Sequence, residues 1–319
     1  MSELNAEYAD LLFDGKADIT SSTSVNGKID AKGLNLTAEG SVGNAQNATE
    51  INVHGEKLNI SAKNDIYVNE VDAVSGKTDI GTVASENGNV TLTTAQDTVI
   101  DSLFSANGNI SLKTAQDTEI GSMKAENGAG MVETAGNLTI AELTVKTADM
   151  TAAGTLEIAE IIADSLKAVA GELLKVATSK DLHAKLLQAE RVEAEAAGEM
   201  VIDELLTGHA KLTAGGNADV TTSGDLSAGT IEAANIHLKA AGDLGTREEA
   251  LMLKTGDRVE AEAGGLINIQ ETSTEPGKTT ITAKSDKDDV TVETNRDLVL
   301  EDTQGQNVNV TTDGKLEAK

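Results

Sequence analysis

Histidine is the side chain best suited to exchange protons near neutral pH, so its positions bear directly on catalysis. The sequence contains four histidines, which lie far apart and in unrelated contexts. They are His54, His183, His209 and His237. We expect each of them to be an outward-facing strand residue, and we predict that the chain is not an enzyme.

Enzymes that cut acidic polysaccharides gather Asp, Arg or Lys in a groove and line it with aromatic rings that stack on sugars. This chain has few arginines, and only 1% of its residues are aromatic. These residues are Arg191, Arg247, Arg258, Arg296, Tyr8, Phe13, Tyr67 and Phe104. A polysaccharide-acting enzyme is therefore the least favoured of the functions considered below.

The chain contains no cysteine, which excludes disulfides and thiolate metal sites. Acidic residues are abundant, but no calcium loop with spaced Asp ligands and a central Gly is present. Asp97 and Asp117 lie twenty residues apart and could share a cation or form a hydrated corner. The cluster 286–289 is typical of a charged turn. We predict neither a metal nor a cofactor.

Two short motifs lead to no strong site prediction. The stretch 277–280 is similar to the end of a phosphate-binding loop, but Thr272 stands where that motif requires Gly. Asn-x-Ser/Thr sequences are glycosylation acceptors in secreted proteins, although here they also arise from the strand pattern itself. They begin at Asn35, Asn47, Asn59, Asn89, Asn109, Asn137 and Asn309.

A repeat of twenty residues indicates how the chain is built. The block 87–106 is followed by the closely similar block 107–126, and each begins with Asn-Gly-Asn. Apolar and polar residues alternate over 90–92 and 110–112, which is the period of a β-strand. Asn-Gly is a turn dipeptide because both residues tolerate positive φ. Such self-similarity is typical of stacked-repeat folds.

Each block holds about three short strands and the corners between them, which is one coil of a parallel β-helix. Equivalent residues of successive coils would stack about 4.8 Å apart. We therefore predict an all-β fold, a β-solenoid with about 17–27 residues per coil. The predicted structural core includes Val90, Leu92, Ile100, Leu103, Ile110, Leu112, Ile120 and Met123.

The amino-acid composition agrees with a narrow interior that holds few aromatic rings, and the net charge limits the kinds of molecule that the chain could bind. Apolar residues make up 39% of the 319 residues, and the formal net charge is −28. This charge argues against binding to nucleic acid or to an anionic membrane, both of which require a basic face. No apolar run is long enough for a transmembrane helix, so we predict no membrane insertion.

The strand and glycine pattern predicts two segments of very different length. We predict that residues 1–16 form an irregular N-terminal end or the start of the first coil, and that 17–319 form a single elongated shaft. A longer repeat relates 40–71 to 242–271. The segment 156–207 could be helical, although its glycine spacing favours coils. A protruding loop is predicted at 272–279, with a candidate binding tip at Glu275, Pro276, Gly277 and Lys278.

Several stretches resemble the repeat shafts of filamentous-haemagglutinin-like exoproteins, which are large bacterial adhesins of the two-partner secretion type. They are 34–43, 213–216, 240–245 and 259–265. The resemblance covers about 17–319 and implies a right-handed parallel β-helix on the bacterial cell surface. It also implies an outer-membrane transporter for the parent protein. The family's Asn-Pro secretion motifs are missing, because the only proline is Pro276.

The sequence therefore predicts a piece of a secreted adhesin shaft that supports adhesion to host cells or to other bacteria. Its partner would be an unidentified protein or glycan receptor on those surfaces. Two other functions stay open. The chain could be the stalk of a contact-dependent toxin or leukotoxin-like exoprotein, or it could be a structural filament of a biofilm matrix.

Overall fold

A computed structural model describes residues 2–4, 9–71, 76–274 and 277–319 of the chain. Throughout these ranges the regular elements are β-strands, and no helix occurs. Accordingly, no helical segment in them has the length and apolar character needed to cross a bilayer. The chain contacts divide it into two compact units, Met1–Leu166 and Lys167–Lys319, and each is described by itself.

Unit 1 consists of short strands in chain order. They are β1 Ser2–Leu4, β2 Ala9–Leu12, β3 Lys16–Ser21, β4 Gly27–Ala31, β5 Gly33–Ala38, β6 Thr49–Val53, β7 Leu58–Ala62, β8 Ile66–Glu70, β9 Thr78–Ser85, β10 Val90–Thr94, β11 Thr98–Ser105, β12 Ile110–Thr114, β13 Thr118–Thr134, β14 Leu138–Ala152 and β15 Leu156–Ile162. The next strand, β16 Ser165–Ala170, contains the boundary between the units.

Unit 2 continues with strands of the same kind. They are β17 Leu173–Thr178, β18 Leu182–Gln188, β19 Arg191–Ala196, β20 Met200–Ile202, β21 Leu205–Leu206, β22 His209–Ala214, β23 Ala218–Thr222, β24 Ala228–Ala240, β25 Leu251–Ala263, β26 Ile267–Glu271, β27 Lys278–Ser285, β28 Val290–Thr294, β29 Asp297–Leu300, β30 Val308–Thr312 and β31 Leu316–Ala318.

Strands pair in parallel with the equivalent strand of the next coil. Val90 of β10 lies between Ile66 of β8 and Ile110 of β12, as stacked coils require. The coil length varies, from 17 residues between Asp18 and Asn35 to 24 residues between Asn35 and Asn59. The predicted all-β solenoid of parallel coils is thus confirmed, with about 16 turns in the described chain.

The core of each unit is the bore enclosed by the coils. Strands alternate buried and outward side chains, so apolar residues at every second position meet inside, and their burial stabilises the coil stack. Every residue assigned to the core from sequence lies there, exposed by 0% or 1%. These residues are Val90, Leu92, Ile100, Leu103, Ile110, Leu112, Ile120 and Met123.

The coil contains fewer separate strands than the sequence suggests. The second and third apolar runs of the repeat belong to one strand, β11, which carries two outward residues in succession at Asp101 and Ser102. That break in alternation moves Ile100 and Leu103 onto two faces of the same coil, so a corner forms while the ladder of hydrogen bonds continues.

The segment 156–207 is built of strands in the structure. In β16 the buried residues are Leu166, Ala168 and Ala170, which recur with period two. A helix would bury positions three or four apart. The Ala-rich composition that permits a helix in isolation is therefore overridden by stacking against neighbouring coils.

The longer repeat recurs as the same local structure in both units. Val42 forms bridges to Val25 and Ile66 in unit 1, and Leu244 forms bridges to Leu226 and Ile267 in unit 2. A glycine follows each bridge residue, with φ of 67° at Gly43 and 77° at Gly245. A Cβ atom at Gly245 would lie 2.3 Å from the carbonyl oxygen of Asn268. Only glycine fits this turn.

Candidate binding site

Three of the four histidines lie beside an aspartate of an adjacent coil. His54 Nε2 is 3.1 Å from Asp30 Oδ1, and His237 Nδ1 is 3.2 Å from Asp219 Oδ1. His183 forms a longer contact of 3.6 Å with Asp203, and His209 is exposed. Across the part of the chain that the structure describes, no three His, Cys, Asp or Glu residues are arranged to hold a metal ion.

Asp97 and Asp117 form hydrogen bonds that join successive coils. Asp97 Oδ1 accepts the backbone N–H of Asp117 at 3.2 Å, and Asp117 Oδ1 accepts that of Asn137 at 2.8 Å. Unit 2 repeats the arrangement where Asp225 accepts the N–H of Asp243 at 2.8 Å. These carboxylates therefore satisfy backbone donors at the corners of the coils.

The acidic cluster at 286–289 is tied to a neighbouring turn. Both carboxylate oxygens of Asp288 accept hydrogen bonds of 2.8 Å from the guanidinium of Arg247. The backbone N–H of Asp289 also donates to Asp288 at 2.8 Å. This backbone hydrogen bond and the Arg247 charge lower the pKa of the Asp288 carboxyl below its usual value. The cluster is thus an ion-paired turn.

Little of the predicted loop 272–279 protrudes among its described residues. Glu275 and Pro276 lie outside the described residues. Ser273 is buried, and its hydroxyl donates to the carbonyl of Thr255 at 2.7 Å. Lys278 begins strand β27, so Lys278 and Thr279 belong to the sheet rather than to a loop. Sequence alone missed this because the strand follows the glycine at once.

The exposed part of this region opens onto a cavity in unit 2. The cavity has a volume of about 360 Å³. Strands β28 and β29 contribute to its wall through the corner that joins them, which begins at Asn295. Polar side chains and glycine backbone line it, namely Ser273, Thr274, Gly277, Asn295, Arg296, Asp297 and Gly314. We call it the Arg296 cavity.

A buried carboxylate, that of Glu271, lies beside the Arg296 cavity and forms hydrogen bonds to two neighbouring residues. Glu271 is the last residue of β26, and its side chain is on the buried face of the strand. It is 1% exposed. Its Oε2 accepts the hydroxyl of Thr294 at 2.8 Å, and its Oε1 accepts the backbone N–H of Ser273 at 2.9 Å. These bonds compensate the cost of removing the charged group from water.

Arg296 provides the opposite charge. Its side chain is 7% exposed, and Nη1 lies 3.8 Å from Glu271 Oε1. The same nitrogen donates to the carbonyl oxygens of Thr255 at 3.0 Å and Gly256 at 3.3 Å, about two coils earlier. The guanidinium is therefore fixed in the interior by bonds to backbone and carboxylate.

One donor of Arg296 is left without a partner. Its Nε is buried and has no acceptor among the described residues. Gly277 permits this placement, because a Cβ atom there would lie 2.3 Å from Arg296 Nη2. A buried donor without a partner is costly, and the bonds that the other two nitrogens of Arg296 make offset this cost.

Sequence reasoning missed the pair Glu271 and Arg296. The signal for Glu271 was present, since the alternation Ile267, Ile269, Glu271 places the acid on the inward face. Unit 1 has a matching buried acid in Glu70, which accepts the hydroxyl of Thr78 at 2.8 Å. Nothing in the sequence indicates that Arg296 would turn inward to meet its partner.

Another groove of unit 2 is lined by charges that compensate one another. It has a volume of about 590 Å³, and Lys239, Glu262 and Lys284 lie along it in neighbouring strands. Lys284 also pairs with Asp302, and this pairing raises the pKa of the lysine. Both side chains of this pair are more than a third exposed, so the groove resembles a solvated ion-pair surface.

Comparison with known proteins identifies no relative. No family model, no curated protein and no solved structure matches the chain.

Proposed function

We propose that this chain is part of the shaft of a secreted bacterial adhesin, similar to the filamentous-haemagglutinin-like exoproteins, and that it supports adhesion to host cells or other bacteria. The observation that carries the proposal is the stack of parallel coils in each unit. In these coils every second strand residue faces the solvent. A bore filled with apolar side chains supports an outer surface whose residues are free to vary.

Two features of that surface support a binding role. Each unit carries a four-residue turn at the same place in the long repeat, 44–47 in unit 1 and 246–249 in unit 2. In the first, the N–H of Asn47 donates to the carbonyl of Asn44 at 3.1 Å. In the second, the N–H of Thr246 donates to the carbonyl of Glu249 at 2.7 Å. The Arg296 cavity adds a concave polar surface.

The test is binding of the labelled chain to epithelial cells and to bacterial cells over a series of salt concentrations. We expect saturable binding to at least one surface. The chain carries a net charge of −28 and cell surfaces are acidic, so the two repel each other. Added salt screens this repulsion and should therefore not weaken the binding. No saturable binding across the panel would contradict adhesion by these coils. It would leave the roles of toxin stalk and matrix filament, for which the chain need not bind a cell.

A further inference from the structure

A buried serine closes the Asn-Gly corner in two successive coils of unit 1. The hydroxyl of Ser85 donates to the carbonyl oxygen of Asn64 at 2.6 Å and accepts the N–H of Gly88 at 2.9 Å. Ser105 repeats both bonds one coil later, donating to the carbonyl oxygen of Gly88 at 2.8 Å and accepting the N–H of Gly108 at 2.8 Å. Each serine therefore fixes the glycine nitrogen of its own corner and ties that corner to the preceding coil.

The third corner of this series lacks the hydroxyl. Residue 125 is a buried alanine at the position where the two preceding coils have serine. Its side chain therefore offers no acceptor to the N–H of Gly128 and no donor to the carbonyl oxygen of Gly108. The pairing of β13 with β14 is also irregular between Ala125 and Ala129, so the regular register does not continue across this corner. The nitrogen of Gly128 thus lacks the constraint that serine applies at its two equivalents.

The asparagine before each of these glycines is held less firmly in the third corner as well. The side-chain nitrogens of Asn87 and Asn107 each donate to a carbonyl oxygen of the preceding coil at 3.1 Å. Asn127 Nδ2 lies 3.5 Å from the corresponding carbonyl oxygen of Ala106, which is longer than an ordinary N–H···O bond. Asn127 is also exposed, so water reaches its amide.

An asparagine followed by glycine can react with its own backbone, because glycine has no Cβ atom to obstruct the approach. The nitrogen of Gly128 attacks Cγ of Asn127 and forms an N–Cγ bond. The Cγ–Nδ2 bond breaks, and the side-chain nitrogen leaves as ammonia with the proton of the Gly128 amide. Water then opens the cyclic imide at either carbonyl and gives aspartate or isoaspartate. Amide and water thus become acid and ammonia, and no enzyme or oxidant is needed.

We infer that Asn127 is a site of spontaneous deamidation. The serine hydroxyls of the two preceding coils protect Asn87 and Asn107 from the same reaction, because the glycine N–H must leave the serine before its nitrogen can attack. The product loses the amide donor of Asn127 and adds a negative charge to a chain whose net charge is already −28. This inference is independent of the proposed function, since it concerns the chemical lifetime of the coil stack.

The test follows the reaction in the full chain at mildly alkaline pH, with peptide mapping by mass spectrometry to measure the conversion of each asparagine. Asn87 and Asn127 are the matched pair, because both are preceded by Glu and followed by Gly. We expect Asn127 to convert about fivefold faster than Asn87 in the folded chain, which is the ratio that one missing hydrogen bond gives. In concentrated urea the two rates should become similar, because the coils no longer distinguish the two sites.

Two variants exchange the hydroxyl between neighbouring coils. Ala125→Ser should slow the conversion of Asn127 about fivefold, because it supplies the acceptor for the N–H of the following glycine. Ser105→Ala should speed the conversion of Asn107 by a similar factor, because it removes that acceptor. Should Ala125→Ser disturb the buried corner, Ser105→Ala remains an independent test, since it only removes an atom from the interior.

The inference is overturned if Asn127 converts no faster than Asn87 in the folded chain, or if the difference persists in urea, since the fold would then not cause it. It is also overturned if Ser105→Ala, or a folded Ala125→Ser variant, leaves the rate at its own corner unchanged. These outcomes are separate from those of the adhesion test, because the measurement involves neither cells nor a receptor.

Discussion

Single residues show how the interior tolerates charge. Glu271 is buried but accepts hydrogen bonds from Thr294 and Ser273, and Arg296 lies beside it. In unit 1 the equivalent acid, Glu70, has Gln96 at the place that corresponds to Arg296. The buried acid is therefore common to both units. The residue near it in the next coil differs, because it is neutral Gln96 in unit 1 and positively charged Arg296 in unit 2.

Arg296→Met tests the buried pair. The variant removes the cation and leaves Glu271 without its opposite charge in the interior, so we expect the free energy of unfolding to fall by about 3–5 kcal/mol. Denaturant unfolding measures it. The control is Arg247→Met, whose side chain is 65% exposed in the wild type and should cost at most about 1 kcal/mol. Equal losses for the two variants would contradict the pairing.

Acid should weaken one surface interaction of unit 2 in a defined direction. The folded-state pKa of Asp288 is lowered from the ordinary value of 3.8 by the N–H of Asp289 and by Arg247. The ionised carboxylate therefore stabilises the fold above that value, and this contribution disappears as the pH falls through the lowered pKa. The stability difference between wild type and Asp288→Asn, from urea unfolding, should be constant near neutrality and shrink below 3.8. A difference that grows with acidity would contradict this assignment.

Strands and corners are the elements that sequence predicts best. Alternation over 90–92 and 110–112 is local, so it identified the inward residues before any coil was placed. The corner inside β11 and the strand start at Lys278 escaped prediction, because each depends on the coil beside it. The pair of Glu271 and Arg296 escaped for the same reason, since acids and arginines are ordinarily exposed and only the stacked register brings these two together.

Leu112→Asp and Lys113→Asp test the orientation of β12. Leu112 is 1% exposed, so a carboxylate there enters the bore without a partner and should cost several kcal/mol. Lys113 points outward, 2.9 Å from Glu133, and its replacement should cost no more than about 1 kcal/mol. Thermal or denaturant unfolding separates the two. Similar losses would show that the inward and outward faces are assigned wrongly.

Gly245→Ala tests the turn that recurs in both units. Its φ of 77° and the 2.3 Å approach of Asn268 O leave no room for a side chain. We expect a loss of about 1–3 kcal/mol in the free energy of unfolding. Gly208→Ala is the matched control in unit 2, because no atom lies within 4 Å of the added Cβ. A silent Gly245→Ala would contradict the described turn.

For the whole molecule, the fold follows from the sequence more directly than the function does. Repetition at twenty residues, scarce aromatic rings and alternating strands together predict stacked coils, and the structure has them. Outward residues also recur from coil to coil, as Asp97 and Asp117 do, but this repetition serves the hydrogen bonds between coils. It does not indicate which of them would recognise a receptor. A polar cavity made by residues from several coils, such as the one beside Arg296, becomes visible only when the coils are stacked.

The most direct test of the central claim is binding of the labelled chain to epithelial and bacterial cells over a series of salt concentrations. The account predicts saturable binding of the wild type that increasing salt does not weaken. Absence of saturable binding to every surface tested would contradict the claim that these coils are adhesive.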